Sequence, residues 1–158
     1  MGISYIISVY LHILFAAIWI GGMLFLPLVL LPSIKQVSNK IDILYATGIK
    51  FRVYGWMSIF GLILTGAYNM YAKGIPFSIT YLATDTYGKL LGTKLLLFSC
   101  MLTIVTVHDF YIGNKAIDQM RIDNSTKFRI IARWSGRINL MLSLAIAFLG
   151  VAISRGGF

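Results

Sequence analysis

His12, Lys94 and His108 are ionisable residues inside hydrophobic runs long enough to cross a bilayer. A lysine at the centre of a membrane helix costs roughly 2.5–3.5 kcal/mol on insertion scales, so each such residue is a candidate functional site. An imidazole can ligate a metal or a haem iron, or carry a proton. An ammonium can hold an anionic group such as a propionate. What the chain does depends on which of the three share a site.

The elements that carry them are membrane spans. The chain has 158 residues, of which 58% are hydrophobic and 12% charged, and its mean hydropathy is +0.82. Soluble domains carry about 25% charged residues. The five acids are Asp42, Asp85, Asp109, Asp118 and Asp123, against 14 Lys and Arg and a net charge of +9. Such a surplus in a soluble protein suggests nucleic acid. Here the basic residues lie between the apolar runs, which suits loops held against anionic lipid and leaves nucleic acid without a case. The one cysteine, Cys100, lies within a span and forms no intrachain disulfide.

Four spans are expected, at about 3–31, 54–71, 90–112 and 136–154, since a helix needs about 20 apolar residues to cross the bilayer core. Pro27 and Pro32 should kink or end the first near its inner end. The first run lacks the basic start and small-residue cleavage site of a signal peptide. Lys35, Lys40, Lys50 and Arg52 lie in one connection, and Lys115, Arg121, Lys127, Arg129, Arg133 and Arg137 in another. The positive-inside rule puts both connections in the cytoplasm and both termini outside. Residues 72–89 are apolar enough to rest on the outer membrane surface, and 115–136 reads as a basic interfacial helix. The expected fold is all-α: one integral-membrane four-helix bundle over residues 1–158, multi-pass in the inner (plasma) membrane.

Depth sorts the three ionisable residues. At 1.5 Å per residue, His12 lies about 9 Å and Lys94 about 12 Å to the outer side of the midplane. His108 lies about 9 Å to the inner side, about 18 Å from His12. One haem held by both histidines of a single chain would need nitrogens roughly 4 Å apart, so that arrangement is excluded. Lys94, Phe98, Met101, Val105 and His108 fall on one face of helix three, and His12, Ala16, Trp19, Met23 and Leu26 on one face of helix one. Such stripes serve packing as readily as chemistry. Gly21, Gly22, Gly61, Gly66 and Gly150 either let helices approach or leave room for a flat ligand. Thr65 and Tyr68 lie in the outer half of helix two, within reach of a group near His12 and Lys94. His108 and Asp109 lie at the depth of Arg137 and Asn139, where a salt-bridge cluster is as natural as chemistry.

The order of these residues carries a resemblance. Leu11 to Pro27 (LHILFAAIWIGGMLFLP), Gly88 to Phe98 (GKLLGTKLLLF), Val107 to Gly113 (VHDFYIG) and Arg137–Asn139 resemble the superfamily of CopD-type membrane proteins and HemJ-type protoporphyrinogen oxidases. In the HemJ-type enzymes the residues tied to activity correspond to His12 and Lys94, and the resemblance implies b-type haem and porphyrinogen oxidation. Leu28 stands where those enzymes tend to carry Arg, and Leu140 follows Asn139 where they carry an acid. Both departures lie toward the CopD-type group, some of whose members are linked to copper uptake.

The reading that follows is a membrane redox protein binding haem b or porphyrin. If it is an enzyme, it is a protoporphyrinogen oxidase-like oxidoreductase. His12 is the metal ligand and, with Lys94, the catalytic pair. Trp19, Gly22, Thr65, Tyr68, Met101 and His108 complete the cofactor-binding set. The alternatives are a CopD-type copper transport or resistance protein, or a small non-catalytic subunit of a respiratory complex. The expected surroundings are the lipid bilayer, with a homodimer or a larger respiratory complex as possible assembly.

Overall fold

A computed structural model describes residues 2–113, 115 and 127–156, and among these every regular element is helical. Helix α1 spans Ile3–Phe25 and runs on through a π-helical turn, Leu26–Leu30, to a last turn at Leu31–Ser33. Pro27 has no N–H to donate, and the wider turn accommodates that loss without ending the helix. The helix stops just past Pro32, where Ile34 leaves helical geometry.

Helix α2 spans Lys40–Ala72. Its 33 residues make a rod of about 50 Å, well beyond the roughly 30 Å of a bilayer core. The expected second span, 54–71, is therefore only its apolar half. In the charged half, Lys40 to Arg52, the helix formers Lys40, Leu44, Ala46, Lys50 and Arg52 offset Gly48 and the β-branched Ile and Thr. Gly74, at φ +66°, turns the chain off this helix in the left-handed conformation that glycine adopts freely.

A short helix α3, Ile79–Thr84, covers part of the 72–89 connection. Helix α4 spans Thr86–Val107, and its N-cap Asp85 accepts a hydrogen bond from the Gly88 N–H at 2.9 Å. It ends in a second π-helical turn, His108–Ile112. Helix α5 spans Lys127–Ser154. Residues 127–136 of the expected interfacial helix thus belong to α5, and 116–126 lie outside the described residues.

Three helical segments among the described residues are long and apolar enough to cross a membrane: Ile3–Ser33, Thr86–Ile112 and Ile130–Ser154. The apolar half of α2 is diluted by Tyr54, Trp56, Ser58, Tyr68 and Asn69.

The helices alternate in direction. α1 pairs with α2, with Trp19 against Gly55 and Phe15 against Gly61. α4 pairs with α5, and α1 also touches α5. The core is small: Trp19, Met23, Ile59, Met101 and Val105 are buried together. Outside it, large apolar side chains stand exposed, such as Leu28 at 68% and Ile79 at 86%. In water such a surface drives aggregation. In lipid it is the expected exterior, and packing over small residues holds the helices together.

Candidate functional site

Among the described residues, polar side chains inside the bundle group into three layers. The upper layer lies toward the end where α1 begins. His12 on α1 shares a 2.8 Å hydrogen bond through Nδ1 with Thr65 Oγ1 on α2. The Thr65 hydroxyl also lies 2.6 Å from the Gly61 carbonyl of its own helix, an acceptor for its proton. That arrangement leaves Thr65 Oγ1 to accept from an Nδ1–H, placing the free lone pair on His12 Nε2. Ser8, one turn earlier, donates to the Thr65 carbonyl. The ring edge of His12 rests over Gly66, where a Cβ would stand 3.4 Å from Cε1.

Lys94 lies at this level. Its Nζ sits over Gly150 of α5, 3.3 Å from where a Cβ would be, and its charge acts on His12. A larger residue at 150 would displace the ammonium. Just above, Lys73 donates to the Tyr87 hydroxyl at 3.3 Å and ties the end of α2 to α4. Burial works against the Lys73 charge, but Tyr87 and Tyr5 outweigh it and hold the ammonium above the usual lysine range.

The middle layer surrounds Ser143 of α5, which is 3% exposed. Trp19 donates its indole N–H to Ser143 Oγ at 3.1 Å. Ser143 Oγ lies 2.9 Å from the Asn139 carbonyl, 3.3 Å from Met101 Sδ and 3.9 Å from Met23 Sδ. The Asn139 amide nitrogen lies 3.7 Å from Met23 Sδ. Asn139 Oδ1 is buried and has no hydrogen-bond partner among the described residues.

The lower layer is built on the π-helical turn of α4. His108 Nδ1 meets Ser135 Oγ of α5 at 2.7 Å. Trp56 of α2 donates to Asp109 Oδ2 at 3.0 Å. Consecutive helical residues point about 100° apart, which turns His108 toward α5 and Asp109 toward α2.

The structure thus brings His12, Thr65 and Lys94 to one level, and Trp19 and Met101 to the next. His108 stands in a layer of its own. Gly22 and Tyr68 join neither. A Cβ at Gly22 would run into the Phe51 ring, so that glycine serves helix packing and leaves no slot for a flat ligand. Tyr68 is 40% exposed and packs on Tyr71. Ser143 and the Met23–Asn139 contact were missed from the sequence. Their available signal was one polar pair, Asn139 and Ser143, four residues apart in the otherwise apolar run 138–153. Among the described residues no three His, Cys, Asp or Glu side chains converge on a metal position.

The sequence profile of copper resistance protein D, CopD, matches residues 46–153. The chain belongs to the CopD family. A CopD relationship suits the lipid-facing exterior, since these are membrane proteins and three helices here are fit to span a bilayer. An uncharacterized protein of Aquifex aeolicus (strain VF5) is 36% identical over 151 residues, covering 93% of each chain. No solved structure matches this CopD-family chain.

Proposed function

We propose that the protein takes up copper ions and passes them through its helix bundle, as a CopD-type copper transport or resistance protein. The supporting observation is the stack of three polar layers within one bundle, at His12, Ser143 and His108, in a chain of a copper resistance family. A lipid-exposed bundle gains nothing from buried imidazoles unless they meet something polar. Imidazole nitrogen suits copper, and copper here is cargo rather than resident cofactor.

The apolar half of α2 serves as a fourth span, and the whole chain is one multi-pass domain of the inner membrane. Lys40, Lys50 and Arg52 on α2 and Arg133 and Arg137 on α5 lie toward the lower end of the bundle. The positive-inside rule makes that end cytoplasmic and puts both termini outside. His12 then receives the ion from the outer side, and His108 and Asp109 release it inside.

The packing favours this over the porphyrin reading. A haem needs an imidazole bordering a flat apolar slot. Thr65 and Gly66 press against His12, and Phe51 fills the space beside Gly22. An apolar groove of about 400 Å³ does run between α1 and α2, but Leu11, Phe15, Met57, Phe60, Gly61, Leu64 and Thr65 line it rather than His12. The residues present do not fit haem b.

The test is uptake into vesicles. Full-length protein is reconstituted in liposomes holding an impermeant dye that colours with Cu(I), and copper with ascorbate is added outside. Colour should develop faster than in empty liposomes, and His12→Ala should slow it. A rate equal to that of empty liposomes would overturn the proposal.

A further inference from the structure

The middle layer holds two thioethers, a carboxamide and a hydroxyl in the driest part of the molecule. Met101 is 1% exposed, Asn139 6% and Met23 8%. Both sulfurs lie within 3.9 Å of one oxygen, Ser143 Oγ. Counting protons shows how poorly this layer satisfies itself. The Trp19 N–H is used on Ser143 Oγ. Ser143 has one hydroxyl proton and three acceptors around it: the Asn139 carbonyl at 2.9 Å and the two sulfurs at 3.3 and 3.9 Å. The carbonyl is the closest and the strongest acceptor, since thioether sulfur accepts weakly. Met101 Sδ is left without a committed donor, and Met23 Sδ has only the long contact to the Asn139 amide. Asn139 Oδ1 has none among the described residues. A thioether packs as an apolar group and needs no donor, but a buried carboxamide oxygen is nearly always paired, so Asn139 Oδ1 calls for a reason.

An ion supplies one. We infer that Met23, Met101 and Asn139 form a binding site for a soft monovalent metal ion, Cu(I), in the middle of the bundle. Thioethers select Cu(I) among first-row metals, and the Asn139 amide, whose nitrogen faces Met23 Sδ, would turn over to give its oxygen as a weak, neutral third ligand. Met23, Met101 and Asn139 carry no charge, which suits a +1 ion and leaves a divalent one uncompensated in a dry interior. Position agrees. Met101 lies seven residues from Lys94 and seven from His108 on α4, about 10 Å along the helix each way. The site is a resting point between the two histidine layers. Its identity as a copper site rests on the transport reading, but ion binding tests it without any transport.

The experiment uses the full chain in detergent on a Cys100→Ser background, so that methionine is the only sulfur present. Ag(I), a redox-inert stand-in for Cu(I), is titrated against a competing chelator. One Ag(I) per chain is expected, with Zn(II) at equal concentration failing to displace it. Met23→Leu and Met101→Leu keep side-chain volume. The double variant should weaken binding by at least about a hundredfold, the upper range for losing even an indirect metal contact. Met57→Leu and Met141→Leu, at exposed positions, should change nothing. X-ray absorption on the loaded protein should show sulfur neighbours, a readout that stands even where a variant does not fold. Undiminished binding in the double variant, or nitrogen and oxygen neighbours only, would overturn the site. Vesicle uptake by a chain that binds no Ag(I) would overturn the site and leave the transport reading. Ag(I) binding without uptake would do the reverse.

Discussion

The upper and lower layers are built alike and charged differently. In each, a histidine Nδ1 meets a hydroxyl on a neighbouring helix, Thr65 at 2.8 Å and Ser135 at 2.7 Å. Beside His12 lies an ammonium, Lys94, seated over Gly150. Beside His108 lies a carboxylate, Asp109, held by the Trp56 indole, and the Arg52 charge acts on both. On the proposed route, a cation meets uncompensated ammonium charge from Lys94 and Lys73 in the first layer, and a guanidinium offset by the Asp109 carboxylate in the last. The difference suggests that the geometry of a histidine site is cheap to repeat, and that the neighbouring charge sets its task.

Removing each imidazole breaks the comparison most directly. His12→Ala and His108→Ala should each cut vesicle copper uptake by about tenfold or more, since loss of a first ligand exceeds the effect of losing an indirect one. Normal uptake in His108→Ala would make the lower layer purely structural. Charge comes next. Lys94→Gln should lower the copper concentration giving half-maximal uptake by about tenfold, because about 1.4 kcal/mol of relieved repulsion is a factor of ten and unit charges several ångströms apart in a protein exceed that. Asp109→Asn should act in the opposite direction and slow uptake at saturating copper. If both substitutions move uptake the same way, the charge asymmetry is not what separates the layers.

The shared level of His12 and Lys94 could be read from the sequence because depth in a helix is a residue count. The span limits were legible for the same reason. The first and third expected spans, 3–31 and 90–112, lie within Ile3–Ser33 and Thr86–Ile112. The second expected span begins at 54 because hydropathy falls where Lys50 and Arg52 stand, whereas the helix that carries it begins at Lys40. Rotation was harder to read. Whether Met23 meets Asn139, or Gly22 meets Phe51, depends on how two helices turn toward each other, and every apolar stripe offers several choices. Tyr68 shows the same difficulty: it lies three residues from Thr65, yet it is 40% exposed and its ring packs on Tyr71.

Stability separates the layers more gently. Trp56→Phe keeps the ring and removes the donor to Asp109. A hydrogen bond to a charged group contributes about 1.5–3 kcal/mol, so thermal unfolding in detergent should shift downward by several degrees. Phe110, tilted on the same indole at 6.0 Å, should keep its place in this variant. No shift in unfolding temperature would mean that the carboxylate does not depend on this donor.

The smallest effect tests the shared part of the design. Thr65→Val and Ser135→Ala each remove the hydroxyl that meets a histidine Nδ1. Hydrogen bonds between membrane helices average about 0.6 kcal/mol, so the two variants should lose similar, small amounts of stability. Their effects on copper should differ. Thr65 Oγ1 has an acceptor for its own proton in the Gly61 carbonyl, so it favours the His12 tautomer with a proton on Nδ1 and a free Nε2. Without it the ring can rotate or change tautomer, and the half-maximal copper concentration should rise about two- to threefold, the factor that about 0.6 kcal/mol represents. Ser135 also has a carbonyl near it, Ala132 at 3.1 Å, but Asp109 remains beside His108 to hold the cation there. Ser135→Ala should therefore change stability and leave that concentration nearly unmoved. Equal shifts in both variants would show that the hydroxyls, rather than Lys94 and Asp109, set how each histidine meets the ion.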